Sequence, residues 1–286
     1  MWQRTNILVS VVVLISAARV SAQTAPQGRP SPQPYASTQN RPSQQTAPPQ
    51  QVPARFQLTP HENAELNRAL KVWEQASNQV KTFESDFHRF TYDAAFGDPT
   101  KPIVDQGHLM YSAPDKGMFR VEGPRPEHWI CDGKAIFEYN FQSKQLVEHR
   151  LPPELHGKAI SDGPLPFLFG ANAEKLKQRY FMRITTPPDK NGKEVWLEAY
   201  PRFQQDAANF QSADVILSVG GMQPTAVQIW EPGGKQRKVY EFKGIQVNQK
   251  NLFGFLKGDP FVARLPGLDW KHVVEEAPAA AEARRR

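Results

Sequence analysis

Apolar positions in this chain change period once. From Thr59 to Val80 they recur every three or four residues, as Leu66, Leu70, Trp73, Ala76 and Val80, which draws one stripe along an amphipathic helix. Thr59-Pro60-His61-Glu62 supplies its start, with Thr59 as N-cap, Pro60 at the first helical position and Glu62 placed to close a capping box. Its polar face is rich in Asn, Glu and Gln rather than basic, so the helix is expected to cover a sheet and not to lie on a membrane.

Beyond residue 82 the period falls to two. Short strands are expected at 83–92, 106–112, 117–122, 127–131, 134–141, 144–149, 180–186, 194–200, 213–219, 225–230, 237–247 and 260–264. Turn signals separate them, among them Ala113-Pro114-Asp115-Lys116-Gly117, Asp132-Gly133, Lys190-Asn191-Gly192 and Pro232-Gly233-Gly234. Closely spaced strands joined by hairpin turns predict an antiparallel meander rather than βαβ units, hence an α+β domain. A sheet this long must curl, and its apolar face must be covered or filled.

Two stretches stand apart from the meander. Gly163-Pro164-Leu165-Pro166-Phe167-Leu168-Phe169-Gly170 is intensely apolar between glycines, and reads either as a core plug or as a mobile lid. A helical segment follows from Asn172. The hairpin around Asp132-Gly133, with a two-residue turn there, pairs Cys131 with Lys134, Ile130 with Ala135 and His128 with Phe137. One face then carries Ile130, Ala135, Phe137, Tyr139 and Phe141 and is expected to be the apolar, functional side. Cys131 falls on the other face with Trp129, Lys134, Ile136 and Glu138, and no histidine shares that face within the hairpin, so no Cys-His nucleophile is expected there.

The ends do not look globular. Residues 1–6 carry one basic residue, Arg4, ahead of an apolar run over 7–15, and Arg19 and a small-residue cleavage site after Ala22 follow, which predicts an exported, soluble protein. That run is too short to span a bilayer. Residues 23–56 hold eight Pro and eight Gln and are expected to be a disordered linker, and 276–286 a frayed tail, which leaves one domain over 57–275.

Charge and candidate chemistry narrow the function. The 35 Lys and Arg exceed the 29 Asp and Glu by six, but they are scattered, so nucleic-acid binding is disfavoured. A lone cysteine in an oxidising compartment excludes an internal disulfide. The chain has no nucleophile elbow, phosphate loop or dinucleotide fingerprint, and so no expected cofactor. Its seven histidines never take a metal-ligand spacing. His88, His108 and His128 lie on strands, and Asp86 beside His88 reads as a surface pair.

The order of segments carries a resemblance. Val80-Lys-Thr-Phe-Glu-Ser-Asp-Phe87 is followed by Gly107-His-Leu-Met-Tyr-Ser-Ala-Pro114 and Gly117-Met-Phe-Arg120. Then come Cys131-Asp-Gly-Lys-Ala-Ile-Phe-Glu-Tyr139, the 164–169 run, Val195-Trp-Leu-Glu-Ala-Tyr-Pro201 and Asp259-Pro-Phe-Val-Ala-Arg-Leu-Pro-Gly-Leu-Asp269. Over about 66–275 this resembles the periplasmic outer-membrane lipoprotein carrier (LolA-type) family, and the Pro-rich leader is similar to that of a planctomycete branch. The resemblance implies a half-barrel of about eleven antiparallel strands, lidded by helices over an apolar cavity that holds acyl chains. Leu109, Tyr111, Phe119, Ile130, Phe137 and Tyr139 would line it, and Leu165, Phe167, Leu168 and Phe169 would form lining and lid. It further implies a lipoprotein or lipid ligand, an inner-membrane donor and an outer-membrane acceptor, a monomer and no catalysis. Where the family has a basic residue before the strand-ending proline, this chain has Ala113, so that lid contact does not carry over. The alternatives are a non-transporting envelope sensor on the same fold and an enzyme on lipid or glycan.

Overall fold

The helix begins as its capping box dictates. Glu62 N–H donates to the Thr59 hydroxyl, and the Glu62 carboxylate accepts from Thr59 N–H at 2.8 Å, which fixes the first turn of α1 (Pro60–Asn78). Leu66, Leu70 and Trp73 are buried along the expected stripe. A computed structural model describes residues 52–94, 101–160, 167–169, 171–249 and 258–275. The leader, nearly all of the Pro/Gln-rich stretch, Leu165 and the tail lie outside the described residues. Phe56, the last residue of the expected linker, is buried against Phe181 and Tyr200.

The strands are β1 (Thr82–Asp93), β2 (Ile103–Ser112), β3 (Lys116–Glu122), β4 (Glu127–Cys131), β5 (Ala135–Asn140), β6 (Gln145–Arg150), β7 (Tyr180–Ile184), β8 (Glu194–Pro201), β9 (Ser212–Ser218), β10 (Pro224–Trp230), β11 (Gln236–Val247) and β12 (Lys271–Glu275). They form one twelve-stranded open, curled sheet in the order β12-β6-β5-β4-β3-β2-β1-β11-β10-β9-β8-β7. Two meanders, β1–β6 and β7–β11, are thus joined where β1 pairs with β11. Every pairing is antiparallel except β12 on β6. Helix α2 (Ala173–Arg179), capped by Asn172, packs with α1 near β7, and Ser77 Oγ accepts from Ala171 N–H between them. The short helix α3 (Gln204–Ala207) follows β8.

Eleven strands match expectation in place, and one does not. Residues 260–264 are turn and extended chain, while the twelfth strand is 271–275. Lys-His-Val-Val-Glu has no apolar alternation because it sits at an edge, exposed and with one neighbour.

The 128–141 hairpin is corrected in two respects. Cys131 pairs with Ile136 and Ile130 with Phe137, so the turn centres on Gly133-Lys134, one residue later than Asp132-Gly133. The Asp132 carboxylate accepts from both Lys134 N–H and Ala135 N–H at 2.8 Å, and Gly133 takes the positive φ of +91° there. A shift by two in the pairing sum preserves which residues share a face, but the face expected to be functional is the outer one. Ile130, Tyr139, Met118 and Leu146 pack there against Phe261 of the returning C-terminal segment. Tyr139 Oη donates to the Arg264 carbonyl and accepts from Arg264 N–H. Trp129, Cys131 and Ile136 instead belong with the inner face, the side covered by α1.

His128 stacks on Tyr139 with ring centres 4.3 Å apart. Burial, then the Arg120 charge, pushes its pKa down to about 4. The unfolded chain, at about 6.5, takes up that proton first. Stability is therefore expected to fall as pH drops from about 6.5 to about 4, by at most about 1.4 kcal/mol per unit and less where solvent reaches the ring. In pH-dependent urea melts, His128→Gln should lack this extra slope. Parallel curves for both proteins would refute it.

Candidate functional site

On the inner face, period-two alternation in β2, β3, β4, β10 and β11 directs apolar side chains to one place. Leu109 faces Phe119, Phe119 faces Trp129, and Val227 faces Tyr240 across the ladders. Together with Phe167, Leu168 and Phe169 these residues enclose a cavity of about 150 Å³. Phe169 stacks flat on Tyr111, with ring centres 4.1 Å apart, and packs edge-on to Phe83. Phe167 is fully buried between Tyr180 and Phe210. The 167–169 stretch is therefore part of the core cluster that closes the cavity.

A second loop is held over the β4–β5 end. Asp115, buried in the β2–β3 turn, accepts from Ala159 N–H at 2.8 Å and Ile160 N–H at 2.6 Å, and its carbonyl accepts from the Cys131 thiol at 3.2 Å. In the sequence Asp115 read only as a turn residue. Cys131 lines the cavity but is held inert: burial first, with the Asp115 and Asp132 charges adding, pushes its pKa up to about 12. The nucleophile is the thiolate, which is absent near neutrality.

Of the expected lining, Leu109, Tyr111, Phe119, Phe167, Leu168 and Phe169 meet at this cavity. Ile130 borders it, although its side chain clusters with Tyr139 on the outer face. Phe137 and Tyr139 are on that outer face, and Leu165 lies outside the described residues. Sequence alternation alone passed over Trp129, Ile136, Val227, Ile229 and Phe242. Once β1 is seen to join the two meanders, the register of β11 places the last three.

One end of the cavity is polar. Glu231 and Lys238 enter its wall, joined at 2.6 Å. Beside them Arg89 donates to Asp105 through Nε and one terminal nitrogen (3.1 and 2.7 Å) and to Glu127 Oε1 through the other (2.7 Å). Tyr240 faces Arg89 across the ladder. Burial pushes the Glu127 carboxyl up and the Lys238 ammonium down, and their ion partners oppose both shifts. Glu127 Oε2 is buried without a hydrogen-bond partner.

Elsewhere His61, His108, His149 and His272 meet carboxylates. His108 bridges Asp86 and Glu84 at 2.8 and 3.2 Å, so Asp86 pairs with His108 and not with His88. Among the described residues no group of His, Cys, Asp or Glu is placed to hold a metal, and no helix is long and apolar enough to cross a membrane.

The model of the family described as "Outer membrane lipoprotein carrier protein LolA" matches residues 78–255, from the end of α1 through β11. A protein of Bordetella avium named outer-membrane lipoprotein carrier protein is 26% identical over 191 residues, spanning 64% of this chain and 82% of that protein. One of the same name from Nitrosomonas europaea is 25% identical over 139 residues, spanning 49% of this chain and 61% of its own length. The crystal structure of a LolA superfamily protein from Nitrosomonas europaea superposes with a TM-score of 0.34 at 10% identity, over 65% of this chain and 94% of that one. The family match takes in more than half of the 286 residues, eleven of the twelve strands and both walls of the cavity. On that match the chain belongs to the outer membrane lipoprotein carrier family.

Proposed function

We propose that this chain carries or binds the acyl chains of lipoproteins, or another lipid, in the inner-face cavity, after export to the periplasm. The observation that carries the reading is a cavity walled almost wholly by aromatic and aliphatic side chains on a family-matching sheet. Each methylene sheltered from water is worth about 0.8 kcal/mol, so a soluble protein that moves acyl chains must enclose them. No covalent step is needed, and the one thiol at the cavity is protonated. A membrane donor and an outer-membrane acceptor are the partners that such a carrier would require.

At about 150 Å³ the cavity is smaller than the roughly 300–1,000 Å³ of ordinary ligand pockets. It accommodates a short stretch of chain as it stands, and a whole acyl chain must displace side chains. Those of 167–169 are the candidates, since they wall the cavity from outside the sheet.

Organic extracts of the purified full-length protein, examined by mass spectrometry, are expected to contain stoichiometric lipid. Leu168→Asp places a carboxylate in the lining at a half-buried position, and should lower the affinity for a neutral fluorescent lipid analogue by at least about tenfold. An empty wild-type protein that also ignores the analogue would sink the proposal.

A further inference from the structure

We propose that the polar end of the cavity is a head-group subsite that accepts non-anionic, hydrogen-bond-donating heads, such as an amide or a hydroxyl, and turns away carboxylate heads. The inference rests on the lipid-binding reading above and adds the chemistry of the ligand's head to it.

Three carboxylates, Asp105, Glu127 and Glu231, face two cations, Arg89 and Lys238, so the cluster carries one negative charge in excess. Both cations already hold a carboxylate. Lys238 holds Glu231, and Arg89 directs both faces of its fork to Asp105 and Glu127. Their side chains are each 5% exposed, so neither can turn to an incoming anion without breaking a buried ion pair. A carboxylate head would therefore add a fourth negative charge where screening is weak.

What Glu127 lacks is a donor for its second oxygen. Glu127 Oε2 is buried and unpartnered, and an ionised carboxylate can only accept. Glu127 precedes Trp129 by two on β4 and so shares its face, and Trp129 lines the cavity. Glu231 is the carboxylate of this cluster that lines the cavity, so a chain seated there with an N–H or O–H at its polar end meets an acceptor at once and supplies the donor that Glu127 lacks if its head reaches past Tyr240. The amide that links an acyl chain to a protein has that chemistry and no charge.

The test uses full-length protein loaded with a neutral naphthylamine probe, displaced at neutral pH by three twelve-carbon amphiphiles: dodecanoate, its glycerol monoester and its primary amide. The ester and the amide are expected to displace the probe at concentrations at least about tenfold lower than dodecanoate. Any apolar cavity disfavours an ion to some degree, so the variants decide. Glu127→Gln removes the excess charge and Glu231→Gln releases Lys238. Each should improve dodecanoate and narrow the gap to about threefold or less. Glu231→Gln leaves the Arg89 contacts in place, and so decides alone if Glu127→Gln does not fold. Dodecanoate binding as well as the ester, or a gap unchanged in the folded variants, overturns the subsite alone. Failure of all three amphiphiles to bind overturns the lipid-binding reading and the subsite with it.

Discussion

Gly107→Ala is expected to lower stability by about 3 kcal/mol, although alanine ordinarily strengthens a strand interior. A Cβ at Gly107 would sit 2.2 Å from Phe87 Cζ and 2.4 Å from the Arg120 carbonyl. The carbonyl belongs to β3 and cannot withdraw without opening the ladder. Nor can the ring swing aside. Phe87 is 1% exposed, stacked on Phe119 at 5.1 Å and met edge-on by Tyr240 and Phe242. The sheet must therefore part at β1–β2–β3, beside the cavity. Gly117→Ala is the control, because its Cβ would meet first the flexible end of Ile160 at 2.9 Å, and should cost under about 1 kcal/mol. Urea midpoints of the two variants measure the difference. Equal small shifts would show that the Phe87 ring relocates.

Much of this architecture is legible in the sequence because it depends on local rules. The capping box at Thr59, the stripe through Trp73 and eleven strands follow from spacing and turn chemistry alone. Alternation also partitions the 128–141 hairpin correctly into two sets of residues. It does not say which set faces the cavity, since both are apolar: Ile130, Phe137 and Tyr139 on one side, Trp129, Cys131 and Ile136 on the other. The decision is made at long range. Phe119 faces Trp129 across β3–β4, and Phe261 arrives from 125 or more residues away to cover Ile130.

The cysteine illustrates the same limit. Its inertness was readable, since no histidine shares its face within the hairpin. Its position in the cavity wall, held by the Asp115 carbonyl, was not. The charged end of the cavity was still less visible. Arg89, Asp105, Glu127 and Lys238 are scattered over 150 residues and look like solvated strand positions, until register brings them to one face. Local pattern thus specifies the walls, and pairing order specifies what the walls enclose.

Removing one member of that charged cluster is expected to have the other large effect. Arg89→Met leaves Asp105 and Glu127 in the interior without their cation, and should cost about 3–5 kcal/mol in urea unfolding at neutral pH. The deficit should shrink between about pH 7 and pH 5. Unpaired and buried, the two carboxyls bind protons more tightly folded than unfolded, so acid stabilises the variant relative to wild type. Replacing Arg89, Asp105 and Glu127 together by apolar residues of similar size should restore stability to within about 1 kcal/mol, because the attraction within a buried ionic group is largely offset by its desolvation. A cluster that contributes so little net stability, in a protein that could fill the space with methionine and leucine, is explained by what it excludes from the cavity. The triple variant should accordingly fold well and lose the preference for the glycerol ester over dodecanoate. If Arg89→Met costs under about 1 kcal/mol, water reaches the cluster and neither consequence holds.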